Sequence, residues 1–301
     1  MLGIWEAIAA IAISRFKRRN DGGAGPQILT PRNFRGSKGS DHNRTDNHMK
    51  ISGIAAIVTG GGSGIGAATA RRLASLGAKV GVLDVNEANA AAVAKEISGI
   101  ALACDVTDAA SAEKAMATAK ERHGAARLVV NCAGIATGSR IVGRDGPQDL
   151  GAFRKVIEIN LIGTFNILRL AAAQMTALDP LEDGERGVIV NTASVAAYDG
   201  QIGQAAYAAS KGGIVSLTLP AARELARFGI RVVAIAPGLI ETPLFAGLNA
   251  DAVQSLIAST LFPHRLGKPE ELAQLVQHIT ENVLINGETI RIDGAIRLAA
   301  K

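Results

Sequence analysis

Between Ile54 and Gly77 the chain places a short apolar run, a glycine-rich turn and an alanine-rich helical stretch end to end. Few folds accept that order. The run Ile54–Thr59 reads as a buried strand, and residues 64–76 as a helix stopped by Gly77. The turn between them is Thr59-Gly60-Gly61-Gly62-Ser63-Gly64-Ile65-Gly66. Glycines there let the backbone turn tightly and approach a pyrophosphate, which a helix N-terminus then stabilises. The alternation continues: strands are expected at 79–84, 100–103, 127–131, 187–192, 231–236 and 289–292. Helices are expected at 87–97, 108–123, about 151–177 and 205–228, with a kink at Pro220. Strand–helix repetition of this kind predicts an α/β fold with a doubly wound, seven-stranded parallel sheet, helices on both faces and right-handed crossovers.

Such a sheet, of the Rossmann type, binds dinucleotides at the carboxyl ends of its strands. Asp84 ends the second strand, twenty residues past Gly64, where a carboxylate accepts hydrogen bonds from an adenosine ribose. It would repel a 2′-phosphate, and neither Ser63 nor Val85 supplies a cation to hold one, so NAD is expected over NADP. The competing reading is that Asp84 merely caps the next turn. Aromatic residues make up only 3% of the chain, so small aliphatic residues must fill the core, as parallel sheets covered by helices allow.

Further on, the run NTASVAAYDGQIGQAAYAASK contains Ser194, Tyr207 and Lys211. Positions i and i+4 share a helix face, so the Tyr207 phenol and the Lys211 ammonium can meet at one site. A free tyrosine titrates near about 10. A fixed positive charge lowers that value, so Lys211 is expected to pull Tyr207 toward neutrality. Ser194 could then hydrogen-bond the substrate oxygen whose proton Tyr207 exchanges, which is alcohol–ketone chemistry. The spacing alone also fits a decorated helix surface.

Two cysteines, Cys104 and Cys132, suggest a reducing compartment rather than a disulfide framework. The five histidines lack metal-ligand spacing, so no metal is expected. The net charge of +5 sits mostly in residues 1–48, leaving the remainder near balance and without the footprint of a nucleic-acid-binding face. Residues 1–48 carry a short apolar run, a basic run and a Gly/Asn/Asp/Ser/Pro-rich stretch, read as a disordered or non-native leader before a domain over 49–301. The apolar run is too short to span a bilayer, so no stable membrane insertion is expected, although a short interfacial anchor is possible.

With these residues in hand, the chain resembles the short-chain dehydrogenase/reductase family over about residues 50–300. The resemblance rests on Thr59–Gly66, Asp105-Val106, Asn131-Cys132-Ala133-Gly134, Asn160, Ser194, Tyr207, Lys211 and Pro237-Gly238, in that order. It implies that Thr59, Gly60, Ser63, Gly64, Ile65, Gly66 and Asp84 hold NAD. Asp105 and Val106 would contact adenine, Asn131, Ala133 and Gly134 would line the middle of the cofactor, and Pro237, Gly238 and Thr242 would flank the nicotinamide. Lys211 would bind the nicotinamide ribose, and Asn160 would support a proton relay through Lys211. Cys132 departs from the usual pattern and reads as a packing thiol.

Within the family, the runs around Ser194 and Tyr207, IRVVAIAPGL and NGETIRIDGAIR are similar to the type II 3-hydroxyacyl-CoA dehydrogenases, also called short-chain 17β-hydroxysteroid dehydrogenases. That similarity implies homotetramers interconverting 3-hydroxyacyl-CoA and 3-oxoacyl-CoA with NAD, in the cytoplasm, or in the mitochondrial matrix of a eukaryote. Arg140 and Arg144 would reach CoA phosphates, and Gln201 and Gln204 the thioester or keto oxygen. Tyr198, which has no lysine four residues on, reads as a wall of the pocket or as plain packing, and 241–265 as a lid over the acyl chain. A 3-oxoacyl-carrier-protein reductase, a steroid or secondary alcohol dehydrogenase, and a non-catalytic cofactor-binding scaffold remain alternatives.

Overall fold

The computed structural model describes residues 49–144, 146–243, 257 and 260–300. The leader at 1–48 and most of the expected lid at 241–265 lie outside the described residues. Strand β1 (Ala55–Thr59) is buried along its whole length. It lies between β2 (Lys79–Asp84) and β4 (Leu128–Asn131) in a seven-stranded parallel sheet. The order is β3–β2–β1–β4–β7–β8–β9, with β3 at Ile100–Ala103, β7 at Gly187–Thr192, β8 at Ile230–Pro237 and β9 at Thr289–Ile292. The expected Rossmann-type sheet is therefore present, with all seven strands within a residue or so of their anticipated ends. Central parallel strands are buried on both faces, and such strands read as unbroken apolar runs.

Alternation along each strand sends side chains to two cores. Ala56 and Val58 of β1 face a layer built by α1 (Gly64–Ser75), α2 (Glu87–Glu96) and α7 (Pro269–Glu281) through Leu73, Val93, Leu272 and Val276. Ile57 faces the other layer, where α3 (Ala109–His123), α5 (Gly163–Met175) and α6 (Ala205–Leu225) supply Met116, Ile167, Met175 and Ala222. A fully buried side chain of that size contributes about 1.5–3 kcal/mol.

Three features escaped the sequence reading. Helix α7 was not anticipated, although Pro269 at its first turn and the following acids are helix-start signals. The segment after β4 forms a small antiparallel hairpin, β5 (Val142–Gly143) with β6 (Gly146–Pro147). The long central helix is two, α4 (Leu150–Ile157) and α5, joined by a π-helical turn at Glu158–Ile162. The stretch Leu150–Met175 is long and apolar enough to cross a membrane by composition, and half of its most apolar 18-residue window is buried within the protein. Helix α6 runs on through Pro220 to Leu225.

Candidate active site

Strands β1 and β4 are neighbours, and their onward connections lead to opposite sides of the sheet, which opens a crevice above their carboxyl ends. The crevice encloses about 930 Å³ and runs from Asp84 at one end to Tyr207 and Lys211 at the other. Its floor demands glycine. Gly60 has φ +61°, and a Cβ there would lie 2.7 Å from the Ala133 nitrogen. A Cβ on Gly66 would overlap the Gly60 carbonyl. Ser63 stands at the N-cap of α1 without using its hydroxyl for the cap. The first-turn amides of α1 are therefore available to an anion.

Asp84 is set by two backbone donors, Gly62 N–H to Oδ2 and Asn86 N–H to Oδ1, each at 2.9 Å. Those bonds leave lone pairs on both oxygens for a vicinal diol. Asp105 accepts from the Thr107 amide and hydroxyl on Oδ1 alone, at 2.9 and 2.7 Å. Val106, Ala133, Gly134 and Ile65 complete the apolar wall. Thr242 also lines the crevice, above Gly64, where a Cβ would meet its methyl at 3.5 Å. This cradle fits a pyrophosphate-bridged dinucleotide.

Four of the expected cofactor residues lie beneath or beside the wall rather than on it. Thr59 and Asn131 are 1% and 3% exposed. Thr59 Oγ1 accepts from the Cys132 and Ala133 amides at 3.2 and 3.3 Å, and Asn131 Nδ2 donates to Asn191 Oδ1 at 2.9 Å. They tie β1, β4 and β7 together under the cofactor loop. Pro237 is buried at the end of β8, and the amide of Gly238 donates to Ile292 at 3.0 Å. Conversely Lys155, Glu158 and Ile159 line the crevice and were missed. Their only sequence signal was the i, i+3, i+4 spacing on one helix face.

At the far end the residues converge as expected. Ser194 follows β7 in extended conformation, with its hydroxyl accepting from Ala196 N–H at 3.1 Å. Helix α6 presents Tyr207 and Lys211 on one face, with the Lys211 nitrogen 5.7 Å from the Tyr207 ring centroid. Lys211 Nζ donates to the Thr192 carbonyl at 2.6 Å. Asn160 sits in the π-helical turn and is fully buried. Its Oδ1 accepts from Ile135 N–H at 2.8 Å, and its Nδ2 donates to Ile135 O at 2.9 Å and to Ser210 Oγ at 3.0 Å. Ser210 Oγ in turn donates to the Tyr207 carbonyl at 2.7 Å. Asn160 thus braces the β4 loop against the helix that carries the tyrosine.

The electrostatics correct one expectation. Burial holds Tyr207 above its ordinary value, against a smaller downward pull from a hydrogen bond with Ser194. Burial also drives Lys211 down to about 8, with the Cys132 thiol pulling it slightly back up. Burial, which disfavours both charged forms, sets the direction of each shift, and the tyrosine stays raised despite its lysine neighbour. Cys132 itself is pushed up to about 11 by burial and accepts from the Thr192 hydroxyl at 3.6 Å, as a packing thiol would.

A second hollow of about 530 Å³ lies against the start of α6, walled by Arg140, Ile141, Val142 and the Gly200–Ala205 loop. Gln201 and Gln204 line it and are engaged with one another. The Gln201 amide donates to Gln204 Oε1, and Gln204 Nε2 to Gln201 Oε1, both at 3.3 Å. Arg144 stands apart, exposed in the β5–β6 turn. Among the described residues no group of three or more His, Cys, Asp or Glu side chains is placed to hold a metal.

The family model for short chain dehydrogenases matches residues 54–253. The chain belongs to the short-chain dehydrogenase family. Its relatives within that family include human 3-hydroxyacyl-CoA dehydrogenase type-2, 48% identical over 82% of this chain and 97% of that one. The crystal structure of 3-hydroxyacyl-CoA dehydrogenase type-2 from Mycobacterium avium superposes with a TM-score of 0.80 at 43% identity, covering 83% of this chain and 98% of that one. A 3-ketoacyl-(acyl-carrier-protein) reductase from Brucella melitensis, complexed with NADH, matches with a TM-score of 0.73 at 30% identity, covering 82% of this chain and all of its own.

Proposed function

We propose that the protein is an NAD-dependent dehydrogenase interconverting 3-hydroxyacyl-CoA and 3-oxoacyl-CoA. The observation that carries this reading is the meeting of Ser194, Tyr207 and Lys211 at the head of a dinucleotide-sized crevice whose other end is set by Asp84. Identity near one half to 3-hydroxyacyl-CoA dehydrogenases type-2 supports the substrate class. The Asp84 carboxylate, held by two amides, would accept from a ribose diol and repel a 2′-phosphate, which favours NAD over NADP. A bound nicotinamide cofactor would supply the hydride acceptor.

In the oxidative direction Ser194 orients the hydroxyl oxygen at C3 of the substrate, and Tyr207 passes its own phenolic proton toward Lys211 and solvent as its oxygen takes the substrate's hydroxyl proton. Lys211 holds positive charge beside the tyrosine and binds ribose hydroxyls, and Asn160 supports proton exchange along that line. Exposed Ile162, Phe165 and Leu219 on neighbouring helices favour helix-to-helix assembly, in keeping with a homotetramer.

A runner-up, reduction of a 3-oxoacyl-carrier-protein thioester, draws support from the NADH-bound Brucella reductase. Steady-state kinetics with 3-hydroxybutyryl-CoA, longer 3-hydroxyacyl-CoAs, a carrier-protein thioester, a 17β-hydroxysteroid and secondary alcohols, each with NAD and with NADP, separates these readings. The CoA thioesters with NAD are expected to give the highest kcat/KM. A clear preference for the carrier-protein thioester, for a steroid or for NADP would overturn the assignment.

A further inference from the structure

The loop from Tyr198 to Gln204 links the short turn after Ser194 to the helix bearing Tyr207, and the C-terminal segment of the chain grips it at several points. Ile202 N–H donates to the Ala300 carbonyl at 3.0 Å, and Gln201 Nε2 donates to the Ala299 carbonyl at 3.1 Å. Nearer the sheet, Arg291 of β9 donates to Asp199 Oδ2 at 2.8 Å and lies over the Tyr198 ring, 5.3 Å from its centroid. The same guanidinium is braced from behind by Asp293 Oδ2 at 2.7 Å and the Ile296 carbonyl at 3.1 Å. Its direction is therefore set by the end of the sheet rather than by the loop. The Arg291 and Asp199 side chains are only 22% and 17% exposed, so solvent screens the pair less than a surface pair.

The loop needs such support. It contains Gly200 and Gly203, the latter at φ +89°, and its internal side-chain bonds are the two long glutamine contacts. Left to itself, a glycine-containing loop samples many conformations. Yet it forms one wall of the hollow at the start of the helix that carries Tyr207.

We propose that the segment from Arg291 to Ala300 is a strap that positions the Tyr198–Gln204 loop for the acyl substrate, with Arg291 and Asp199 as its positioning residues. This rests on the reading that the hollow walled by Gln201 and Gln204 receives the 3-hydroxyacyl thioester. The strap sets the wall of that hollow while leaving the Asp84 end of the crevice untouched. Loss of the strap is therefore felt by one substrate and not the other.

Two variants test it, Asp199→Asn and deletion of Ala299–Lys301, with hydrogen exchange of the loop amides read alongside kinetics. In the deletion the Ile202 amide is expected to exchange about tenfold faster. In both variants KM for 3-hydroxybutyryl-CoA is expected to rise about fivefold while KM for NAD stays within about twofold. Unchanged loop exchange and unchanged substrate KM in both variants would overturn the strap, and so would an equal rise in both KM values. If the unaltered enzyme turns over no 3-hydroxyacyl-CoA, the functional reading fails, and the exchange result alone then decides the strap.

Discussion

Tyr207, half-buried, and Lys211, buried, share one corner, and loss of water opposes the charge that each must carry in turn. The i, i+4 spacing made their meeting legible in the sequence, but the sign of the tyrosine shift was not, because spacing says nothing about solvent access. The same holds for Thr59 and Asn131, whose motif positions were readable while their burial under the cofactor loop was not. The lysine makes the tension measurable. Lys211 titrates at about 8 in the fold against an ordinary value of 10.5. Between those values the unfolded chain binds more protons, so stability rises with pH, and below about 8 the cost of burying the ammonium is present in full. Raising the pH from about 7 to about 9 is expected to add about 1 kcal/mol through this group alone. Tyr207, raised above 10, acts in the opposite sense only at higher pH. Lys211→Met should remove that increment, although it leaves the Thr192 carbonyl without its donor at every pH. Urea denaturation of both proteins at both pH values gives the comparison, and identical pH slopes would show that the lysine is not buried as a charged group.

Elements with a strong period were legible, and short or context-made ones were not. The parallel strands appeared as apolar runs because both faces of each must be covered, whereas the two-residue strands β5 and β6 carry no period at all. Helix α7 has start signals in Pro269, Glu270 and Glu271, but its apolar positions follow directly on a Leu- and Phe-containing segment that blurs its period. The π-helical turn at Glu158–Ile162 has no sequence signature, yet it carries Asn160, which braces the β4 loop against α6. The glycine turn after β1 shows how tightly an element can constrain one position. Because a Cβ on Gly66 would overlap the Gly60 carbonyl, Gly66→Ala must push the turn away from the start of α1. Overpacking of this kind costs about 1–3 kcal/mol, and here it also displaces the first-turn amides that are open to an anion. The variant is therefore expected to lose most of its thermal stabilisation by added NAD while keeping a cooperative unfolding transition. Undiminished protection by NAD would show that the turn relaxes without disturbing the anion site.

Across the whole molecule, chemistry and stability occupy opposite edges of one sheet. The carboxyl ends of the strands carry the crevice, where the Lys211 side chain is buried at a cost. The amino ends carry a staple made by Arg231, the second residue of β8. Its guanidinium donates to Glu185 at 2.7 Å and to the carbonyls of Ile279, Thr280, Asn282 and Ile285 at 2.8–3.2 Å, the bonds to Glu185, Ile279 and Thr280 being buried and the other two part-buried. Those carbonyls belong to the last turn of α7 and the chain leaving it, so one side chain anchors that helix to the sheet edge. A buried charge saturated with acceptors is costly to break, because the partners left behind cannot recover water. Arg231→Met strands a carboxylate and four carbonyls and is expected to destabilise by about 3–5 kcal/mol. Glu185→Gln leaves the guanidinium with its four carbonyl bonds and should cost less, about 1–3 kcal/mol. Since both residues lie a strand's length from Ser194 and Tyr207, the folded fraction of each variant should keep kcat and both KM values within about twofold of the parent. Urea denaturation followed by kinetics on the same samples makes the comparison. A kinetic defect in Glu185→Gln with unchanged stability would mean that the two edges of the sheet are coupled, and that the division of labour between them is false.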